Sequence, residues 1–181
     1  MKSAGRLGCI ISRLSRTFHF SFFTFLLFIS CASKQEDANV LRFQQGDYAL
    51  WLEAQNDSVC TLHLSVRGSE VNSIPIRHPV YRLDGGDLDG DGMPEVCLGV
   101  ENATRYWHQR ARRIHIYRLY HGRYIRPLWL GSRVGSELDD FEVCRDSTPA
   151  VIHTFERKAD GSPVCREYVL EGFGLQFVRE L

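Results

Sequence analysis

Ile114-His115-Ile116-Tyr117-Arg118-Leu119-Tyr120-His121-Gly122-Arg123-Tyr124-Ile125-Arg126-Pro127-Leu128-Trp129-Leu130 alternates apolar and polar residues on both sides of a glycine. Alternation with a period of two sorts residues onto the opposite faces of a pleated strand, and a glycine between two such runs lets the chain reverse. The stretch predicts a β-hairpin.

The same rhythm runs outward in both directions. Tyr48-Ala-Leu50-Trp-Leu52, Cys60-Thr-Leu62-His-Leu64-Ser-Val66 and Glu95-Val96-Cys97-Leu98-Gly-Val100 read as strands before it. Phe141-Glu-Val143, Ala150-Val-Ile152-His-Thr-Phe155, Cys165-Arg-Glu-Tyr168-Val-Leu170 and Leu175-Gln-Phe177-Val178 follow it. Asn56-Asp57, Arg67-Gly68, Asp160-Gly161 and Glu171-Gly172 punctuate them, and Leu170-Glu-Gly172-Phe-Gly174 reads as a second tight hairpin. Helical periodicity is almost missing, so the predicted fold is all-β and antiparallel.

A weak repeat of about fifty residues is superimposed on the strands. Ala49-Leu-Trp-Leu52, Val96-Cys-Leu-Gly-Val100 and Val151-Ile-His-Thr-Phe155 correspond, each followed by a second strand and a glycine. Blade-like repeats are the preferred reading, and a sandwich with hairpins of similar length is the alternative. Three units are few for a closed propeller of roughly four to eight blades, so a partial propeller or a compact barrel stays open.

Between two of these strands lies Asp87-Leu88-Asp89-Gly90-Asp91-Gly92-Met93-Pro94-Glu95. Short acids at every second position can wrap a hard cation, which takes about six to eight oxygen ligands. The loop and the strand after it resemble the FG-GAP/VCBS repeat of integrin-like β-propellers, where an Asp-rich loop feeds an apolar strand. The resemblance implies one structural calcium ion, with side-chain oxygens from Asp87, Asp89, Asp91 and Glu95, the Met93 carbonyl, and the turn at Gly92. An EF-hand or dockerin loop would put its last acid where Leu98 stands. The family acid at the place of Glu95 is usually aspartate, and the corresponding region of the last unit, Glu137-Leu-Asp139-Asp140-Phe-Glu142, lacks the glycine. An Asp/Gly turn capped by its own side chains is the alternative, disfavoured by repulsion among four carboxylates.

Residues 1–30 read as a signal peptide. Lys2, Arg6, Arg13 and Arg16 precede an apolar run from Phe18 to Ile29, shorter than the roughly 20 residues that span a bilayer. An uncleaved signal anchor is the alternative. Ser30-Cys31-Ala32-Ser33 resembles a bacterial lipobox with Phe28 in place of the usual leucine, which implies acylation of Cys31. Lys34-Gln-Glu36-Asp37 resembles the surface-export signal of Bacteroidota lipoproteins. The expected product is held at the outer membrane or cell surface through lipid, periplasm-facing being the other orientation, with a tether over 31–40 and the β domain over 41–181. Asp57-Ser58-Val59 and Asp146-Ser147-Thr148 match the short O-glycosylation tripeptide of the same bacteria.

The whole chain carries 22 basic and 22 acidic residues. Four of the bases and none of the acids precede Cys31, so the mature chain has 18 − 22, about −4. Nucleic acid is therefore not an expected partner. Cys60, Cys97, Cys144 and Cys165 remain after the leader and Cys31, with three pairings open or none.

From Glu101 to Glu137 no acid intervenes, whereas eight arginines do, interleaved with Tyr and Trp. Arg110, Arg112, Arg118 and Arg123 with Trp107 and Tyr117 form a candidate face for an anionic glycan or an envelope protein, because guanidinium forks grip sulfate, phosphate or carboxylate and aromatic rings stack on sugars. A hairpin whose arginines pair with the acidic remainder is the plainer alternative. None of the six histidines after the leader has zinc-finger spacing, and no nucleophile elbow or phosphate loop occurs. The expected function is a non-enzymatic binding or structural module of the cell envelope. A small envelope glycan hydrolase, or its accessory subunit, is the alternative.

Overall fold

The computed structural model describes residues 40–131 and 133–181; the leader, Cys31 and nearly all of the tether lie outside them. Twelve strands follow one another: β1 Arg42–Gln45, β2 Tyr48–Asn56, β3 Val59–Val66, β4 Ser69–Ile76, β5 Val80–Gly86, β6 Glu95–Asn102, β7 Ala111–Tyr120, β8 Tyr124–Leu130, β9 Glu137–Cys144, β10 Val151–Arg157, β11 Pro163–Glu171 and β12 Gly174–Glu180. They form three four-stranded antiparallel meanders, β1–β4, β5–β8 and β9–β12, none closed into a barrel. The all-β expectation and the three blade-like units are both present. The repeated segments of the sequence fall on the second and third strand of each sheet.

The hairpin between β7 and β8 turns where the alternation pauses. His121 (φ 52°) and Gly122 (φ 62°) both take left-handed backbone, and a Cβ on Gly122 would lie 2.8 Å from the Tyr48 hydroxyl of the first sheet. Glycine is the residue that meets both demands.

Three strands escaped the alternation. β1 and β4 are sheet edges with mixed or polar sequence, and β4 carries Pro75, tolerated only where no neighbour needs its N–H. β5 ends in Gly85-Gly86, where a Cβ on Gly85 would meet the Glu95 carbonyl at 2.6 Å and one on Gly86 would meet Val143 at 2.9 Å.

The middle sheet is covered on both faces. Val96, Leu98 and Val100 of β6 join Leu50, Leu62 and Leu64 in one core, while Cys97, Ile114 and Ile116 join Phe141, Val143 and Ile152 in another. Double coverage explains why β6 is a continuous apolar run rather than an alternating one. Each fully buried aliphatic side chain contributes about 1.5–3 kcal/mol. Strand β5 packs between β1 and β9, the first strands of the neighbouring sheets, as in successive blades. The four cysteines among the described residues are free: Cys60 and Cys97 sit in separate cores, and Cys144 and Cys165 belong to the third sheet.

Candidate functional site

The Asp-rich loop connects β5 to β6 and is held from both ends. Leu88 is buried in the second core, and the Asp87 carbonyl accepts the Ala150 N–H at 2.7 Å. Within the loop each aspartate caps a turn. Asp87 accepts from the N–H groups of Gly90 (2.7 Å) and Gly92 (3.0 Å), Asp89 from Asp91 (3.2 Å), and Asp91 from Met93 (2.8 Å). Left-handed backbone at Gly90 and Gly92 makes this winding accessible.

The result brings Asp87, Asp89 and Asp91 together, with one carboxylate oxygen from each within 4.8 Å of the others. These three carboxylates could hold a metal ion. Glu95 stands behind them. Its carboxylate is buried, accepts the Leu88 N–H at 3.0 Å, and is pushed up to about 7 by burial, opposed by that hydrogen bond and reinforced by Asp89 and Asp91. It is outside the converging set. Arg118 donates to Asp89 at 2.7 Å, so an internal cation already offsets part of the repulsion.

The proposed arginine face divides between different environments. Tyr117 is buried in the first core, Arg118 faces the acidic loop, and Arg123 is exposed in the β7–β8 turn. Trp107, Arg110 and Arg112 instead line a cavity of about 310 Å³ where the middle and third sheets meet. Arg113, Arg133 and Trp129 also line it. The cavity arises because β8 stops pairing with β7 at His115, leaving the edge from Arg110 to Arg113 uncovered by that strand. A second cavity of about 510 Å³ shares Arg133 and Val134 with the first.

The arginines there differ in how they are satisfied. Arg112 lies 3.7 Å from Glu101, donates to the Asp139 carbonyl and stacks its guanidinium 4.7 Å from the Tyr81 ring centre. Arg133 stacks 5.0 Å from the centre of Trp107. Arg113 is 6% exposed and has no ion-pair partner among the described residues; its Nε donates to the Asn102 carbonyl at 3.4 Å. Burial, and then the charge of Arg133, pull its pKa down. The Arg113 guanidinium therefore faces the cavity without a counter-ion of its own, which a bound anion would supply.

The three strand histidines occupy different surroundings. His63 stacks on Trp51 with ring centres 5.0 Å apart and lies beside Glu53 and Glu70, whereas His153 contacts Cys144 and Glu167. His115 is 3% exposed, edge-on to His78 and 3.4 Å from the Asn102 amide nitrogen. Burial, with His78 and Arg113 adding to it, pushes His115 down to about 4.

His115 is thus neutral in the fold, while the unfolded chain takes up a proton below its ordinary value of about 6.5. Stability on the order of 3 kcal/mol is present above that value and drains away as pH falls towards 4. Glu95, pushed up to about 7, acts in the opposite sense over nearly the same range, so the His115 contribution is read as the difference between the urea-melt pH profiles of wild type and His115→Gln. Parallel pH profiles for the two proteins would exclude His115 as the source of the loss.

Comparison with family models, curated proteins and solved structures gave no match.

Proposed function

We infer that the chain is an exported, lipid-anchored β-blade module of the cell envelope that binds an anionic glycan, with a calcium ion clamping the Asp-rich loop. The observation that carries this reading is the buried Arg113 lining a cavity with Arg110, Arg112, Arg133 and two tryptophans. Guanidinium groups supply fixed bidentate donors for sulfate or carboxylate, and the indoles supply flat apolar surface for sugar rings. Continuation into the second cavity through Arg133 suits a chain of sugars rather than one. Among the described residues Glu137 is the one acid lining the first cavity, and Glu180 of the second is tied to Lys158 and Arg166; glycoside cleavage uses a pair of carboxyl groups flanking one bond, so binding is favoured over hydrolysis.

If the cavity exists for an anion, Arg113 is a functional liability that the free protein tolerates. Arg113→Met should therefore melt no lower than wild type, because the substitution removes a buried uncompensated charge and keeps the packing of its stem. It should also lose anionic-glycan binding. A lower melting temperature together with undiminished binding would assign Arg113 a structural task instead.

Calcium fits the loop by donor chemistry: all candidate ligands are oxygens, and Asp87, Asp89 and Asp91 already converge. The ion would order the entry to β6 and take over the neutralisation that Arg118 now supplies to Asp89. At a hundredfold excess over its dissociation constant it should stabilise the fold by about 2.7 kcal/mol. Asp89→Asn should remove most of that gain. A melting temperature indifferent to calcium and chelator would sink the clamp while leaving the glycan reading standing.

A further inference from the structure

The outward face of the third sheet gathers ligand chemistry that the cavity and the acidic loop do not use. Strand alternation puts Glu142 and Cys144 of β9 on one face. The register pairs Glu142 with His153 of β10, and His153 on its other side with Glu167 of β11. Four side chains from three adjacent strands therefore stand in one row.

Their distances describe a tripod. The Cys144 sulfur lies 3.0 Å from His153 Nδ1, and Glu142 Oε1 lies 3.9 Å from the same nitrogen. One ligand atom from each of the three falls within 4.8 Å of the others. The far nitrogen of the ring, Nε2, is 3.2 Å from Glu167 Oε2, and that carboxylate is held by Arg179 at 3.0 Å.

We propose that Glu142, Cys144 and His153 form a site for one Zn²⁺-class divalent ion, with Glu167 positioning His153 from behind. Sulfur, imidazole nitrogen and one carboxylate are the donors such borderline ions select, in contrast to the all-oxygen Asp loop. A carboxylate on the far ring nitrogen fixes the tautomer that leaves Nδ1 free to ligate, the usual support behind a metal-bound histidine. Binding releases the Cys144 thiol proton to solvent, since the thiolate is the ligand. Three protein ligands leave one coordination position for water, or for a donor from a partner.

The row Cys144–His153–Glu167 also has the order of a nucleophile, a base and an orienting acid. The surroundings favour the metal. Glu142 converges on the same point as Cys144 and His153, 3.9 Å from Nδ1, and has a task only in the metal site.

The test is a titration of the reduced mature protein with Co²⁺, followed by competition with Zn²⁺, read as the thiolate-to-cobalt absorption band. One equivalent should develop the band, and Zn²⁺ should abolish it. Cys144→Ser should remove the band, Cys165→Ser should keep it, and Glu167→Gln should weaken affinity roughly 10-fold or more. Circular dichroism of each variant separates lost ligation from lost fold. Absence of the band in folded wild-type protein, or a band that survives Cys144→Ser, overturns the site. Rapid alkylation of Cys144 that depends on His153, without any cobalt band, would transfer the row to the nucleophile reading.

Discussion

Arg166→Met is expected to destabilise the protein by about 3–5 kcal/mol. The reason is Glu156 on β10, which is 1% exposed. Its carboxylate accepts from Arg166 Nη1 at 2.6 Å, from the Thr154 hydroxyl at 2.6 Å, from the Tyr168 hydroxyl at 3.0 Å and from the Ser136 N–H. Arg166 in turn reaches Ser136 Oγ at 2.8 Å and Glu180 at 3.0 Å. Removing the arginine leaves a buried carboxylate facing neutral donors only. Removing both charges, as in Glu156→Leu/Arg166→Met, should recover part of the loss, because the Tyr168 hydroxyl keeps the Gly135 N–H and the Thr154 hydroxyl keeps the Arg166 carbonyl as partners. Urea unfolding of the double-mutant cycle measures the coupling. An Arg166→Met loss below about 1 kcal/mol would contradict a dependence of the fold on this network.

Phe141→Ala should cost a similar amount, about 3–5 kcal/mol, by a different route. The Phe141 ring is fully buried in the core between the middle and third sheets, against residues such as Leu88, Ile114 and Ile116. Its strand, β9, is the one through which the third sheet packs on β5 and β7. A cavity there both forfeits the burial of the ring and loosens the junction. Because Leu88 anchors the Asp-rich loop in the same core, the variant should also bind calcium less tightly. Thermal melts with and without calcium test both parts. A variant within about 1 kcal/mol of wild type would mean that this junction collapses around the gap.

Much of the fold was legible because it is local. Nine of the strands carry their own alternation or apolar run, and the hairpin glycines announce the reversals. The edge strands β1 and β4, and β5 with its paired glycines, carry little alternation because close backbone contacts and solvent, rather than a buried face, set their composition. The same division holds for the sites. Asp87, Asp89 and Asp91 converge through hydrogen bonds between near neighbours in the chain, so their pattern reads directly. Tyr117 could have been placed by parity, since it shares a strand face with Leu119 and belongs in the core. The cavity around Arg113, and the row from Glu142 to Glu167, could not. Both depend on where one strand stops pairing and which residue stands opposite which. A one-residue slip in register would dissolve either.

The most direct test of the binding function is a titration of the mature protein with a sulfated oligosaccharide, followed by tryptophan emission. Trp107 and Trp129 line the cavity, whereas Trp51 is stacked on His63 in the first sheet. The expected result is a saturable change in emission that weakens with added salt and is missing with the neutral oligosaccharide. Arg113→Met should raise the dissociation constant by about tenfold or more, the worth of one charge-assisted contact. No change in emission with the sulfated ligand, or an equal response from folded Arg113→Met, would contradict the account.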